Sequence, residues 1–189
     1  MYERKVRVDI ELGSAVVLIT GVMAAGKSTV ADLLAGQLHR SAHVRGDVFR
    51  RMMVSGREEL LPEETVEARA QLELRYRLSA LVADEYARHG WTAVVQDIVL
   101  GKDLPQYVAR VRTRPLYVIV LAPSAAAVQT REMMLPKTGY GLWTVDALDR
   151  ALRKETPRIG LWLDTSEQTP DQTVSAILDN LSAARVETS

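Results

Sequence analysis

The residues best suited to chemistry lie in one short stretch, Gly21-Val22-Met23-Ala24-Ala25-Gly26-Lys27-Ser28-Thr29. A glycine, four residues and then Gly-Lys-Ser is the spacing of the phosphate-binding Walker A loop. Glycines let the backbone curl so that successive N–H groups converge on phosphate oxygens. On this reading Gly21, Met23, Ala24, Ala25, Gly26, Lys27, Ser28 and Thr29 cradle a nucleotide. Lys27 neutralises the β and γ phosphates, and the Ser28 hydroxyl ligates the Mg²⁺ that accompanies them. A helix opening in the loop points the positive end of its dipole at the same anion. The context agrees: an apolar run from Ala15 to Ile19 precedes the loop, and Val30, Leu33, Leu34 and Leu38 follow at helical spacing. The stretch reads as a nucleoside triphosphate site, with ATP and Mg²⁺ as the expected ligands.

What is done with the phosphate depends on carboxylates nearby. In Val44-Arg45-Gly46-Asp47-Val48-Phe49-Arg50-Arg51, a strand ends in Asp47 as the next helix opens. Ligands of open parallel sheets sit beyond the carboxyl ends of the strands, so Asp47 is expected to share a crevice with the loop. There it can accept the proton of an attacking hydroxyl as the γ-phosphate transfers in line. It is equally the residue type that caps a helix. Asp97 ends the run Val94-Val95-Gln96-Asp97. It suits a water-mediated hold on Mg²⁺, or a strand-end carboxylate bonding the loop that follows.

The loop together with Arg45-Gly46-Asp47 resembles the small P-loop kinases, in particular the chloramphenicol phosphotransferase-like group, whose layout is similar to that of shikimate, gluconate and adenylate kinases. In element order the resemblance runs through nearly the whole chain, although only these two motifs are specific. It implies an α/β three-layer sandwich of the P-loop NTPase type, with a five-stranded parallel sheet in the order 2-3-1-4-5 and helices on both faces. It also implies an acceptor pocket between the second strand and the helices after it, and a lid after the fourth strand, here residues 131–141. The group's catalytic Asp maps onto Asp47. Its lid arginines have one counterpart, Arg131, with Lys137 or Arg153 available as a second cation. Thr165 and Ser166, after the fifth strand, fall where the group packs the adenine base; a helix-start turn is the competing reading.

The acceptor is not fixed by these motifs. Arg45, Arg50, Gln71 and Arg75 are its candidate contacts, and an arginine-rich pocket suits a carboxylate or phosphate. The expected activity is transfer of the γ-phosphate to a hydroxyl of a small molecule, with Asp47, Lys27 and Arg131 as the catalytic set. A polynucleotide 5′-hydroxyl kinase and a regulatory nucleotide-binding ATPase are the alternatives.

The elements that must position these residues can be read from apolar runs. Strands are expected near Ala15–Thr20, Ala42–Arg45, Thr92–Asp97, Leu116–Leu121 and Leu161–Asp164, with helices between them. The longest helix, near Glu63–Arg88, carries an apolar stripe of Val66, Ala70, Leu74, Leu78, Leu81 and Val82. Residues 1–13 alternate Val6, Val8, Ile10 and Leu12 with charges, as an arm or edge strand would. The 189 residues suit one α/β domain. Lysine plus arginine equals aspartate plus glutamate at 24 each, which argues against a nucleic-acid partner. The absence of cysteine excludes disulfides and thiol chemistry, and the three histidines lack zinc-ligand spacing. No run is long enough to span a membrane, and no signal-peptide core follows Met1, so a cytoplasmic monomer or homodimer is expected.

Overall fold

The computed structural model describes residues 10–134 and 143–187. Five strands form one sheet in the order β2-β3-β1-β4-β5, with every pairing parallel. They are β1 (Ala15–Gly21), β2 (Ser41–Arg45), β3 (Thr92–Gln96), β4 (Leu116–Leu121) and β5 (Leu161–Leu163). The central strand β1 is buried along its whole length, as is β3. A strand covered on both faces has no polar side to alternate with, hence the unbroken apolar runs. Register places Leu18 beside Val95 on one flank and beside Val118 on the other, so the carboxyl ends of β1, β3 and β4 finish together.

Among the described residues, eight α-helices cover the sheet: α1 (Lys27–Gln37), α2 (Gly46–Arg51), α3 (Val66–Arg88), α4 (Asp103–Arg110), α5 (Ala125–Met133), α6 (Val145–Arg150), α7 (Pro170–Asp179) and α8 (Leu181–Ala184). A π-helical turn over Ala151–Glu155 continues α6. Side-chain oxygens of Thr65, Ser124, Thr144 and Thr169 cap α3, α5, α6 and α7, satisfying first-turn N–H groups that lack a helical partner. Arg69 of α3 forks onto Asp103 of α4, with bonds of 2.9 and 2.5 Å. Ser79 and Tyr107 share a buried hydrogen bond of 2.9 Å between the same helices.

The elements expected from sequence are present, with two differences. Part of the apolar stripe on α3 faces outward: Val66 is 90% exposed, Leu81 62% and Leu74 41%, while Leu78 and Val82 are half-buried. The helix instead buries Ala68, Tyr76, Ser79, Ala80, Ala83 and Ala87. Small residues let α3 lie close against the sheet, and closeness outweighs the hydrophobicity of the bulkier stripe. At the N-terminus, Ile10 makes one isolated bridge to Leu38, and residues 10–14 form no strand. The remainder of the expected arm, residues 1–9, lies outside the described residues, as do 135–141 of the expected lid, with Lys137 among them.

The packing of α3 predicts an inversion of the usual rule for apolar positions. Ala83→Leu overpacks a fully buried site and is expected to cost about 1–3 kcal/mol. Leu81→Lys, on the open face, is expected to stay within about 0.5 kcal/mol of the parent. Urea denaturation of both variants checks the pair, and the opposite ranking would mean that the stripe is the buried face.

Candidate active site

The phosphate loop starts where β1 runs out. Gly21 has φ of 146°, and a Cβ there would sit 2.5 Å from the Leu121 carbonyl oxygen, so glycine is required for β1 and β4 to approach. Gly26, at φ of 90°, opens α1 without any side-chain cap. The first-turn N–H groups around Lys27, Ser28 and Thr29 are therefore not taken by a capping side chain, as an anion site requires. Ala24 holds φ of 56°, the one positive value among described non-glycine residues. Strain of this kind is tolerated where the surroundings over-determine the backbone.

Lys27 is 6% exposed and donates to the carbonyl of Val22 at 2.6 Å. Burial lowers its pKa to about 8, with Asp97 opposing that shift and Arg75 reinforcing it. Asp97 follows directly on β3 and has no exposed surface. Both of its oxygens accept from Arg75: Oδ2 from Nε at 2.9 Å and Oδ1 from the Nη2 group. Oδ1 also accepts from the Ile98 N–H at 2.7 Å. Desolvation raises the Asp97 pKa, and the Arg75 charge and hydrogen bonds pull it down. Against the far side of this carboxylate packs Gly46, where a Cβ would overlap the Asp97 side chain. Glycine at the head of α2 is thus a steric requirement, and the residue after it is Asp47.

Asp47 is spent on no cap, since the first turn of α2 has none. Its Oδ2 lies 2.8 Å from Arg51 and its Oδ1 3.7 Å from Arg45. Oδ1 is buried without a hydrogen-bond partner among the described residues, in a side chain that is 41% exposed overall. Beside this turn, Arg50, Glu58, Leu60, Ala68, Gln71, Leu72 and Arg75 line a small open cleft. Three of the four candidate acceptor residues are in that lining, and Arg45 stands outside it. The two lining arginines are already neutralised, Arg75 by Asp97 and Arg50 by Glu59 at 2.8 Å. Gln71 spends its amide on the loop between α2 and α3, donating to Gly56 and accepting from the Glu58 N–H at 3.0 Å. Trp143 donates to the Leu60 carbonyl at 2.8 Å and ties the same loop to the start of α6.

A second cluster forms at the ends of β4 and β5. Arg131 donates to the carbonyls of Thr165 and Ser166 at 2.5 and 3.3 Å. Ser166 donates to Asp164 at 2.5 Å and accepts from the Ser124 N–H at 2.8 Å. The Ser166 hydroxyl, with the Ser166 N–H at 2.9 Å, holds the Asp164 carboxyl below its usual range. Thr165 is buried, and its hydroxyl has no partner among the described residues. Arg153, on the π-helical turn, donates to the carbonyls of Ala122 and Pro123. Arg131 and Arg153 thus both hold backbone carbonyls of the loops after β4 and β5, and Arg153 Nε also donates to Asp149 at 2.8 Å. Sequence reasoning had no signal for the Arg75–Asp97 pair, whose members are 22 residues apart. Gly46, directly ahead of Asp47, was the visible trace of the close packing.

A family profile described as an AAA domain matches residues 16–132, from β1 through the phosphate loop to α5. The chain belongs to this AAA domain family. No curated protein sequence matches it. Solved structures of similar fold include a sugar kinase from Janibacter sp. HTCC2649, at 22% identity over 90% of this chain and 95% of that one, with a TM-score of 0.64. The APS kinase of Mycobacterium tuberculosis, in complex with AMPPNP and APS, is similar at 19% identity, 89% and 97% coverage and a TM-score of 0.66. A gluconokinase from Sinorhizobium meliloti 1021 follows at 17%, 89% and 92%, and 0.61. The shared architecture is that of small P-loop kinases. No helix among the described residues is long and apolar enough to cross a membrane.

Burial of Lys27 generates a pH prediction. Below about pH 8 the ammonium is charged in the free protein, and above it the charge is progressively lost. Binding a polyphosphate re-protonates it, so affinity for ATP is expected to fall by roughly tenfold per pH unit above that point. Calorimetric titration across the range measures this, with Lys27→Arg expected to flatten the profile. A wild-type affinity constant up to about pH 9.5 would contradict the assignment.

Proposed function

We propose that the chain is an ATP-dependent phosphotransferase that moves the γ-phosphate to a hydroxyl of a small-molecule acceptor. One observation carries this reading: the Asp47 turn, free of any capping duty, packs through Gly46 on Asp97, whose partner Arg75 lines the neighbouring cleft. Asp47 Oδ1, buried and without a hydrogen-bond partner, is the atom that accepts the proton of the acceptor hydroxyl. The hydroxyl oxygen forms the new bond to the γ-phosphorus as the bond to the bridging β–γ oxygen breaks, and ADP departs. Lys27 leaves the Val22 carbonyl for the β and γ phosphates and balances the charge gathering on the leaving oxygen.

Mg²⁺ bound with the nucleotide supplies further neutralisation of the phosphate oxygens. The donor set fits an ion that arrives this way. No cluster of three or more His, Cys, Asp or Glu among the described residues could hold a metal alone. Ser28, in the first turn of α1, offers the one hydroxyl this geometry requires. Both oxygens of Asp97 are already engaged, so its influence on the ion runs through water. Arg131 acts at a distance from the phosphates, fixing the Thr165–Ser166 loop against which the nucleotide base packs.

The pairing of Arg50 and Arg75 with carboxylates supports an acceptor that is polar but uncharged. It also weighs against the polynucleotide alternative, because Arg45, Arg50 and Arg51 all face an acidic partner. Such arginines are poorly placed to collect a polyanion.

Mass spectrometry of a pooled library of sugars, nucleosides, antibiotics and 5′-hydroxyl oligonucleotides with Mg²⁺ and ATP tests the proposal. One neutral alcohol is expected to gain a phosphate, and Asp47→Asn is expected to slow that transfer by ~10²-fold or more while ATP affinity holds. Lys27→Ala is expected to lose ATP binding. Release of ADP with no phosphorylated alcohol would refute the kinase reading and favour a nucleotide-hydrolysing switch.

A further inference from the structure

Asp97 has two cations within electrostatic reach, Arg75 and Lys27, and a fully buried carboxylate attracts both strongly. The structure divides them. Arg75 reaches in from the acceptor cleft and lays its planar fork across both carboxylate oxygens. Lys27 instead donates to a neutral acceptor, the Val22 carbonyl. Gly46 closes the third side, and the Ile98 N–H holds Oδ1 from the strand end. A lysine hanging on a carbonyl is readily drawn away by a polyphosphate. A lysine paired with a buried carboxylate is not, because its departure would strand a charge in the interior.

We propose that Arg75 is a positioning residue whose grip on Asp97 keeps that carboxylate from capturing Lys27, so that the lysine stays available to the nucleotide. This rests on reading the Gly21–Thr29 loop as a nucleotide site, and it needs no acceptor to be identified. The guard residue belongs to the acceptor side of the site, and the residue it guards belongs to the nucleotide side. The cleft and the phosphate loop are therefore coupled through one ion pair. An anionic group docked in the cleft would compete with Asp97 for Arg75, and Lys27 would bear the consequence.

The test is calorimetric binding of Mg²⁺·AMPPNP to the full chain and three variants. Arg75→Met, which keeps length and loses the charge, is expected to weaken binding by about tenfold or more, since the orphaned Asp97 then takes Lys27. Asp97→Asn alone sets the reference affinity of a site in which no buried carboxylate competes for Lys27. The decisive variant is Arg75→Met/Asp97→Asn, which is expected to recover to within about threefold of Asp97→Asn because the competitor for Lys27 is gone. A side chain that merely held the fold together would show no such rescue.

Undiminished affinity in Arg75→Met would overturn the proposal, and so would a double variant as weak as the single one. If Arg75→Met does not fold, Arg75→Lys replaces it. That variant keeps a cation and gives up the fork, with a loss of roughly threefold expected and the same rescue by Asp97→Asn. Failure of the wild-type chain to bind AMPPNP would overturn the phosphate-site reading and this proposal together. That outcome is distinct, since no variant would then differ from the parent.

Discussion

A carboxylate without exposed surface has to be answered by positive charge, and the way Asp97 is answered organises the rest of the site. Its partner Arg75 comes from α3, the donor Ile98 N–H from the segment after β3, and the backbone pressed against it from Gly46 at the head of α2. Remove the pair and three elements lose their common anchor. Burying an ion pair gives weak net stability and fixes geometry well. The interaction therefore belongs to the site's arrangement more than to the protein's stability, and Asp47 and Lys27 stand where they do because Asp97 does not move.

Glycine plays a related part at two close approaches beside these residues. Gly21 lets β1 pass the Leu121 carbonyl, and Gly46 lets the α2 turn settle on Asp97. Both bring backbone where a side chain would stand, and both lie next to residues with chemical work to do. On the far side, Arg131 and Arg153 hold the loops after β4 and β5 by their carbonyls. Arg75 is thus locked on a carboxylate, whereas Lys27 in the phosphate loop is held by the Val22 carbonyl.

Much of the fold was legible in the sequence because β1, β3 and β4 are continuous apolar runs and the Walker A spacing fixes where the first helix must begin. The strand order came through resemblance, and the sheet has it. What was not legible concerns partners. Arg75 stood among candidate acceptor contacts because nothing in a linear sequence pairs it with a carboxylate 22 positions away. Arg131, a lid cation by motif, turns to the Thr165 carbonyl, a contact that depends on how α5 lies against the loop after β5. The apolar stripe of α3 satisfied helical periodicity, yet its Val66, Leu74 and Leu81 face outward, since Ala80, Ala83 and Ala87 pack closer. Periodicity reports that a helix has an apolar face; it does not report which face the neighbours leave room for.

On the proposed reading, Lys27 changes partners when nucleotide binds and Asp97 does not. A crystal structure of the chain with Mg²⁺·AMPPNP is the sharpest test. The expected result is the Lys27 ammonium off the Val22 carbonyl and on the β and γ phosphates, with Asp97 still forked by Arg75 and Asp47 facing the γ-phosphate across the cleft. Asp97 detached from Arg75, and bonded either to Lys27 or to the metal itself, would contradict it.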